Sequence, residues 1–121
     1  MPRGYMKKLK MKVNYPSQFF VCLVSYENTG KETDLIPPDC WGAVGWLAVD
    51  AESEYQLREV IKVEFDYLEL KLIEINEIEK VSSIEQVNAK DSWLAKNVED
   101  WEYGKRWVVG TLHGYYGEGE A

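Results

Sequence analysis

The chain has 121 residues, a length that suits one folded domain, and its 45% hydrophobic and 29% charged composition excludes a disordered polypeptide. No apolar run approaches the ~20 residues that span a bilayer, and polar residues interrupt the basic N-terminal stretch before a secretory signal forms. We therefore expect a cytoplasmic protein that does not associate with membranes. The formal net charge of −7 argues against nucleic acid as a ligand.

The charge is distributed unevenly along the chain. Residues 1–49 carry a net charge of +2 and residues 50–121 a net charge of −9. We expect residues 1–15 to form a basic, mobile lead or an edge strand over Lys8–Tyr15, and residues 16–121 to form a single α+β domain. An acidic surface favours basic partners, because it accelerates their approach.

Two strands are predicted before the first helix. The segment SQFFVCLVSYE, Ser17 to Glu27, contains a continuous apolar run, which indicates a strand covered on both faces or nearly so. A loop with Asn-Thr-Gly and Pro-Pro-Asp turn signals follows. The segment WGAVGWLAVD, Trp41 to Asp50, predicts the second strand, where Gly42 and Gly45 indicate a bulge or the close approach of another group.

A capped helix and a bulged strand come next. Ser53 and Gln56 have the spacing of a capping box, and an apolar stripe follows at helical spacing, formed by Leu57, Val60, Ile61, Phe65 and Leu68. The segment YLELKLIEINEIEKV then alternates with a period of two. Its apolar positions slip by one residue between Leu72 and Ile73, which predicts a β-bulge.

The last third of the chain predicts further helix and one more strand. Ser83 with Gln86 forms a second capping box, Asp91 or Ser92 opens a helical stretch through Trp101, and Gly104 is the expected C-terminal cap. KRWVVGTLHGYY predicts the final strand. The order strand, strand, helix, strand, helix, strand predicts a single antiparallel sheet with two helices on one face, a ferredoxin-like variant in ββαβαβ order.

The only histidine, His113, lies in the final strand and shares a face with Thr111 and Tyr115. A histidine can act as a general base where a carboxylate orients it, but an ordinary strand residue or a partner contact is the favoured interpretation. Cys22 and Cys40 match no zinc motif, and we expect free thiols. Of the two, Cys40 is the better candidate for a nucleophile.

Three acidic residues, Glu99, Asp100 and Glu102, lie close together at the end of the second helical region. Paired acids can hydrolyse glycosides only if one of them is buried with a raised pKa, and consecutive acids at a helix end are usually solvated. The glycine-rich GYYGEGE lacks the lysine and the following helix of a phosphate loop. The sequence therefore predicts no catalytic residue, no metal site and no cofactor.

Five tryptophans in a chain of this size indicate either a large core or an aromatic interface. We expect Trp93 and Trp101 in the core, because they lie eight residues apart on similar helical faces. Trp41 and Trp107 are expected to be partly exposed. The predicted partner-binding residues are Trp41, Trp107, His113, Tyr115, Tyr116, Glu99, Asp100 and Glu102.

These features favour a small acidic cytosolic protein-binding domain over an enzyme, and specifically an immunity or antitoxin-like inhibitor of a basic partner protein. One alternative is a dimeric ferredoxin-like protein or enzyme that binds a small molecule in a pocket near His113. A second alternative is a scaffold subunit that forms a homodimer through an exposed strand edge.

Overall fold

The computed structural model describes residues 15–116. The predicted basic lead, with its edge strand over Lys8–Tyr15, lies almost entirely outside the described residues. So does the acidic end that contains Glu118 and Glu120.

One antiparallel sheet of four strands forms the framework. The strands are β1 (Phe19–Asn28), β2 (Gly42–Val49), β3 (Leu70–Val81) and β4 (Trp107–Tyr115). Their order across the sheet is β3-β1-β2-β4. Three helices accompany them: α1 (Glu54–Tyr67), α2 (Ile84–Lys90) and α3 (Ser92–Glu99).

The α+β class and the single antiparallel sheet are confirmed, but the ferredoxin-like ββαβαβ order is wrong. The chain order is ββαβααβ, because two short helices replace the single helix expected between β3 and β4. Asp91 separates them: its extended backbone ends α2, and its side chain accepts hydrogen bonds from the first amides of α3.

The prediction of helices on one face of the sheet is also wrong. Successive side chains of a strand point to opposite faces. On β1, Phe20, Cys22 and Val24 pack in one cluster with the buried residues of α1, whereas Phe19 and Val21 pack in another with those of α2 and α3. The sheet therefore has an α1 face and an α2–α3 face, each with its own core.

Local signals placed α1 and the bulge in β3 correctly. Ser53 caps α1, and the buried residues of that helix are Leu57, Ile61 and Phe65. The pairing of β3 with β1 shifts between Ser25 and Tyr26, whose partners are Glu74 and Leu72, as the phase slip in the sequence predicts. A second shift lies opposite Val21 and Leu23, near Glu77, which has a φ of 50°.

Helix α3 lies along the outer edge of β4. The Asp91 carboxylate accepts from the Thr111 backbone N–H at 2.9 Å, and the Asn97 amide donates to the Val109 carbonyl at 2.7 Å. These backbone groups face away from β2, so side chains of the helical region satisfy them instead of another strand. A register shift between β2 and β4 falls at the same place, between Gly45 and Leu47.

The prediction that Trp93 and Trp101 both lie in the core is half right. Trp101 is 2% exposed, stacks edge-on against Phe19 with ring centroids 5.7 Å apart, and donates from Nε1 to the Lys105 carbonyl. Trp93 is 51% exposed. The reason is that α3 ends at Glu99, so Trp101 lies beyond the helix and helical spacing does not place the two rings on one face. None of the helices in residues 15–116 is both long enough and apolar enough to cross a membrane.

Candidate functional site

An exposed tryptophan, Trp41, lies at the end of a central strand. It immediately precedes β2, its backbone N–H donates to the Tyr115 carbonyl at 2.8 Å, and its carbonyl accepts from the Asn28 N–H at 2.9 Å. The backbone is therefore fixed between the ends of β1 and β4. Its indole nevertheless remains 52% exposed.

Tyr115 lies beside this tryptophan on β4. Its hydroxyl donates to the Tyr26 carbonyl at 3.2 Å, and the Glu27 carboxylate lies near it. Desolvation, followed by the negative charge of Glu27, raises the pKa of Tyr115, so the hydroxyl stays a neutral donor. The ring lies over Gly42, where an added Cβ would come within 2.6 Å of the hydroxyl oxygen. This close approach explains why a glycine occupies position 42 in β2.

The turn before Trp41 packs on the opposite face of the sheet end. The Cys40 N–H donates to the Pro37 carbonyl at 3.1 Å, and Asp39 adopts a φ of 65°, a conformation that aspartate tolerates better than most residues. The Cys40 side chain fills the space above Gly114. Asp39 is left exposed two residues before Trp41.

We call this region the sheet-end surface. It consists of Glu27, Asp39, Trp41, His113, Tyr115 and Tyr116, which lie at the same end of the sheet; Glu27, His113 and Tyr115 share its α2–α3 face, and Asp39 belongs to the turn on the α1 face. His113 is exposed and pairs across the sheet with Val44, and Tyr116 is 64% exposed. The surface thus combines three aromatic rings and one imidazole with two carboxylates. Sequence reasoning missed Glu27 and Asp39; the signals that mark them are the strand-end position of Glu27 and the Pro-Pro-Asp turn.

Four of the eight predicted partner-binding residues lie at this end of the sheet, and the other four do not. Trp107 lies at the opposite end of β4, eight residues from Tyr115, which corresponds to ~26 Å along a strand. Its side chain faces α1, where Nε1 donates to the Glu64 carboxylate at 3.2 Å and the ring packs against Phe65. Trp107 therefore lies partly buried at the margin of the α1-face core.

The predicted acidic residues also belong to the far end of the sheet. Glu99 ends α3, and Asp100 and Glu102 follow it, all three exposed. Glu99 and Asp100 line an open groove of about 690 Å³ between α2 and α3. Lys96 lies in the same groove, so the groove carries mixed charge. These acids form a solvated helix end that is separate from Trp41 and His113.

None of the four cavities described within residues 15–116 is lined by His113. Burial raises the pKa of the Cys22 thiol to about 12, with Arg58 opposing the shift, and a thiol of this kind is a poor nucleophile. In this part of the chain, no three His, Cys, Asp or Glu side chains come together to hold a metal ion.

Comparison of the chain with protein families, with curated proteins and with solved structures finds no match.

Proposed function

We propose that this chain is a protein-binding domain that captures a basic partner protein through the sheet-end surface, as an immunity or antitoxin-like inhibitor would. The observation that carries the proposal is the position of Trp41, a half-exposed indole on a backbone held by hydrogen bonds to both neighbouring strands. Tryptophan is among the residues that contribute most to protein interfaces.

The charge of the chain supports a basic partner. The sequence contains 21 Asp and Glu residues against 14 Lys and Arg residues, a formal net charge of −7. A field of this sign raises the rate of encounter with a positively charged protein, and salt weakens the effect. At the surface itself, a lysine or arginine of the partner can lie over the Trp41 ring while it pairs with the Asp39 carboxylate.

Pre-organisation supports the same site. Binding costs free energy when it immobilises mobile side chains and loops. The Trp41 backbone is already fixed, and the Tyr115 ring is held by the hydrogen bond from its hydroxyl to the Tyr26 carbonyl. Little backbone ordering is therefore required when a partner covers these rings.

Affinity capture from the source cell tests the proposal. The wild-type chain is compared with Trp41→Ala and with a control variant, Tyr55→Ala, which removes an exposed aromatic ring from α1. We expect the wild type and the control to retain the same basic protein at low salt. Trp41→Ala should weaken binding by about thirtyfold, the effect of losing a hot-spot residue worth ~2 kcal/mol.

Two results would contradict the proposal. One is retention of the partner by Trp41→Ala with the affinity of the wild type. The other is a partner that is acidic, or whose affinity does not fall as the salt concentration rises from about 50 to 200 mM.

A further inference from the structure

Half of the α2–α3 face is only partly covered by residues 15–116. On β1, Phe19 and Val21 are fully buried on this face, but Leu23 and Ser25, further along the same side, are only partly buried. On β2, Val44 and Trp46 are partly buried as well, although β2 is an inner strand of the sheet. We call Leu23, Ser25, Val44 and Trp46 the open face.

The open face has the dimensions of a helix-binding surface. Residues 23–27 of β1 extend for ~13 Å, and four strands span ~14 Å from the first to the last. An α-helix with its side chains is ~10 Å wide, so one helix of two to three turns covers this area. Trp46 forms the wall toward α2: it packs against the buried cluster beneath α2 and α3, and the Lys90 ammonium lies 5.7 Å from its ring centroid.

The polar residues around the open face carry net negative charge. Its apolar floor is bordered by Glu74, which pairs with Ser25, and by Glu27, which pairs with Lys71. The Glu74 carboxylate accepts a bond from Asn76, which in turn pairs with Leu23. Lys90, beside Trp46, pairs with Glu79 at 3.2 Å, so three carboxylates (Glu27, Glu74 and Glu79) stand against two lysines (Lys71 and Lys90). His113, opposite Val44, joins the open face to the sheet-end surface.

The edges of the sheet are poorly suited to binding an added strand. The outer edge of β4 is occupied by the Asp91 and Asn97 side chains. On β3, the positive φ of Glu77 and two register shifts interrupt the ladder, and acidic residues flank it. Bulges and charges at an edge strand oppose pairing with another strand. A partner therefore has to dock through side chains on a face.

From these contacts we infer that an amphipathic, basic α-helix of the partner binds on the open face. It lies beside α2 and α3 and completes the half-filled helical layer. Its apolar side covers Leu23, Val44 and Trp46, and its lysines or arginines reach Glu27 and Glu74. A second copy of this chain is a poorer occupant, because each copy carries a formal net charge of −7. The inference rests on the proposed function and names the partner's binding element.

Synthetic peptides of about 14 residues test this inference with the full-length chain. The probe is a helical peptide of leucines and lysines; the comparisons are a leucine–glutamate helix with the same apolar stripe and a scrambled leucine–lysine peptide. Binding is followed by the amide NMR signals of the chain. Val44→Lys and Ser25→Arg add bulk and positive charge to the open face. The control variant, Val63→Lys, makes a comparable change at a 62%-exposed position on α1, the helix that covers the opposite face of the sheet.

We expect the leucine–lysine helix to shift the signals of Leu23, Val44 and Trp46 and to bind about tenfold more tightly than the acidic helix. Val44→Lys and Ser25→Arg should each weaken binding by about tenfold, and Val63→Lys by less than about twofold. Since Ser25→Arg changes a polar residue on an accessible surface, it remains informative if Val44→Lys impairs folding.

Any of the following results would overturn the inference. The scrambled peptide binds as tightly as the leucine–lysine helix, or the peptide shifts only signals outside the open face. The amides of the open face are already protected from solvent in the free monomer, or their signals change with protein concentration. The outcome is separable from that of the proposed function. If Trp41→Ala abolishes capture of the cellular partner while Val44→Lys and Ser25→Arg do not, the sheet-end surface is the binding site and the helix inference is wrong. If no basic partner is captured at all, the proposed function fails, whatever the peptides do.

Discussion

Replacing Asp91 with alanine should destabilise the fold at two places at once. The Asp91 carboxylate caps α3 by accepting from the backbone N–H groups of Trp93 at 2.8 Å and Leu94 at 3.1 Å. It also accepts from both the backbone N–H and the hydroxyl of Thr111, at 2.9 and 3.0 Å. One side chain therefore joins the start of α3 to the bulged edge of β4.

The size of the loss follows from these two roles. Removing an N-cap acceptor costs ~1 kcal/mol. Losing the bonds to Thr111 adds ~1 kcal/mol, the lower end for bonds to a charged group, because Thr111 is only partly buried and water replaces part of the interaction. The total of ~2 kcal/mol should lower the Tm by roughly 8 °C in a domain of this size.

Two variants separate the contributions. Asp91→Asn keeps one oxygen to cap α3 but can place an NH₂ group opposite the Thr111 N–H, so it should lose ~1 kcal/mol. Ser83→Ala removes a cap from α2 that accepts from the Gln86 N–H and makes no bond to the sheet, and it should cost ~1 kcal/mol. Urea unfolding followed by tryptophan fluorescence measures all three free energies.

The stabilisation by Asp91 should also depend on pH. Desolvation alone would raise the pKa of Asp91, but the hydrogen bonds from Leu94, Thr111 and Trp93 together outweigh it and lower the pKa. A carboxyl whose pKa is depressed by folding stabilises the protein above its unfolded pKa of ~3.9, and this contribution is lost as the pH falls through the folded pKa. The wild type should therefore lose more stability than Asp91→Asn on acidification below about pH 4. Equal costs for Asp91→Ala and Ser83→Ala, or identical acid profiles for the wild type and Asp91→Asn, would refute the double role.

Two further predictions concern the packing that supports these contacts. Gly110→Ala should cost ~1–3 kcal/mol in urea unfolding, because its Cβ would lie 2.7 Å from the Leu94 Cβ and push α3 away from β4; a loss below ~0.5 kcal/mol would show that α3 moves freely. Cys22 should resist iodoacetamide at pH 8 in the folded protein and react after unfolding in urea, since burial raises its pKa to about 12; mass spectrometry that finds Cys22 alkylated in the folded chain would contradict this.

Short-range signals predicted the elements of this fold well. Ser53 and Ser83 act as N-caps where the capping boxes indicate, and the slip between Leu72 and Ile73 marks a real irregularity in β3. Each of these features depends on hydrogen bonds or side-chain alternation within a few residues. The chain between residues 83 and 101 was harder to interpret, because Asp91 both ends one helix and caps the next.

The placement of helices on both faces could have been inferred from β1 alone. Its uninterrupted apolar run from Phe19 to Val24 requires cover on both sides, and a sheet with all its helices on one face cannot provide it. Which crossover passes over which face is a long-range property, however. It depends on β3 pairing with β1, which separates β3 from β2 and carries α1 across one face.

The eight predicted partner-binding residues lie at two ends of the molecule, and the sequence could not predict this division for a similar reason. Aromatic and acidic composition indicates that a surface can bind, but only the sheet register shows which residues share it. Trp107 and Tyr115 belong to one strand yet face opposite sides of the sheet at opposite ends. Glu27 comes from β1 and reaches the site only because β1 and β4 both flank β2.

The division of the α2–α3 face into two halves connects stability with binding. The half beneath α2 and α3 is lined by side chains such as Phe19, Val21 and Ala48, which are fully buried, and it supplies the packing that holds the helices. In the other half, β1 changes from Leu23 to Ser25 and Glu27, so the same strand becomes progressively more polar. A face that retains Leu23, Val44 and a partly buried tryptophan beside carboxylates is neither a sealed core nor a fully solvated surface. This composition fits the interface proposed above, in which apolar contact would supply affinity and charge would select the partner.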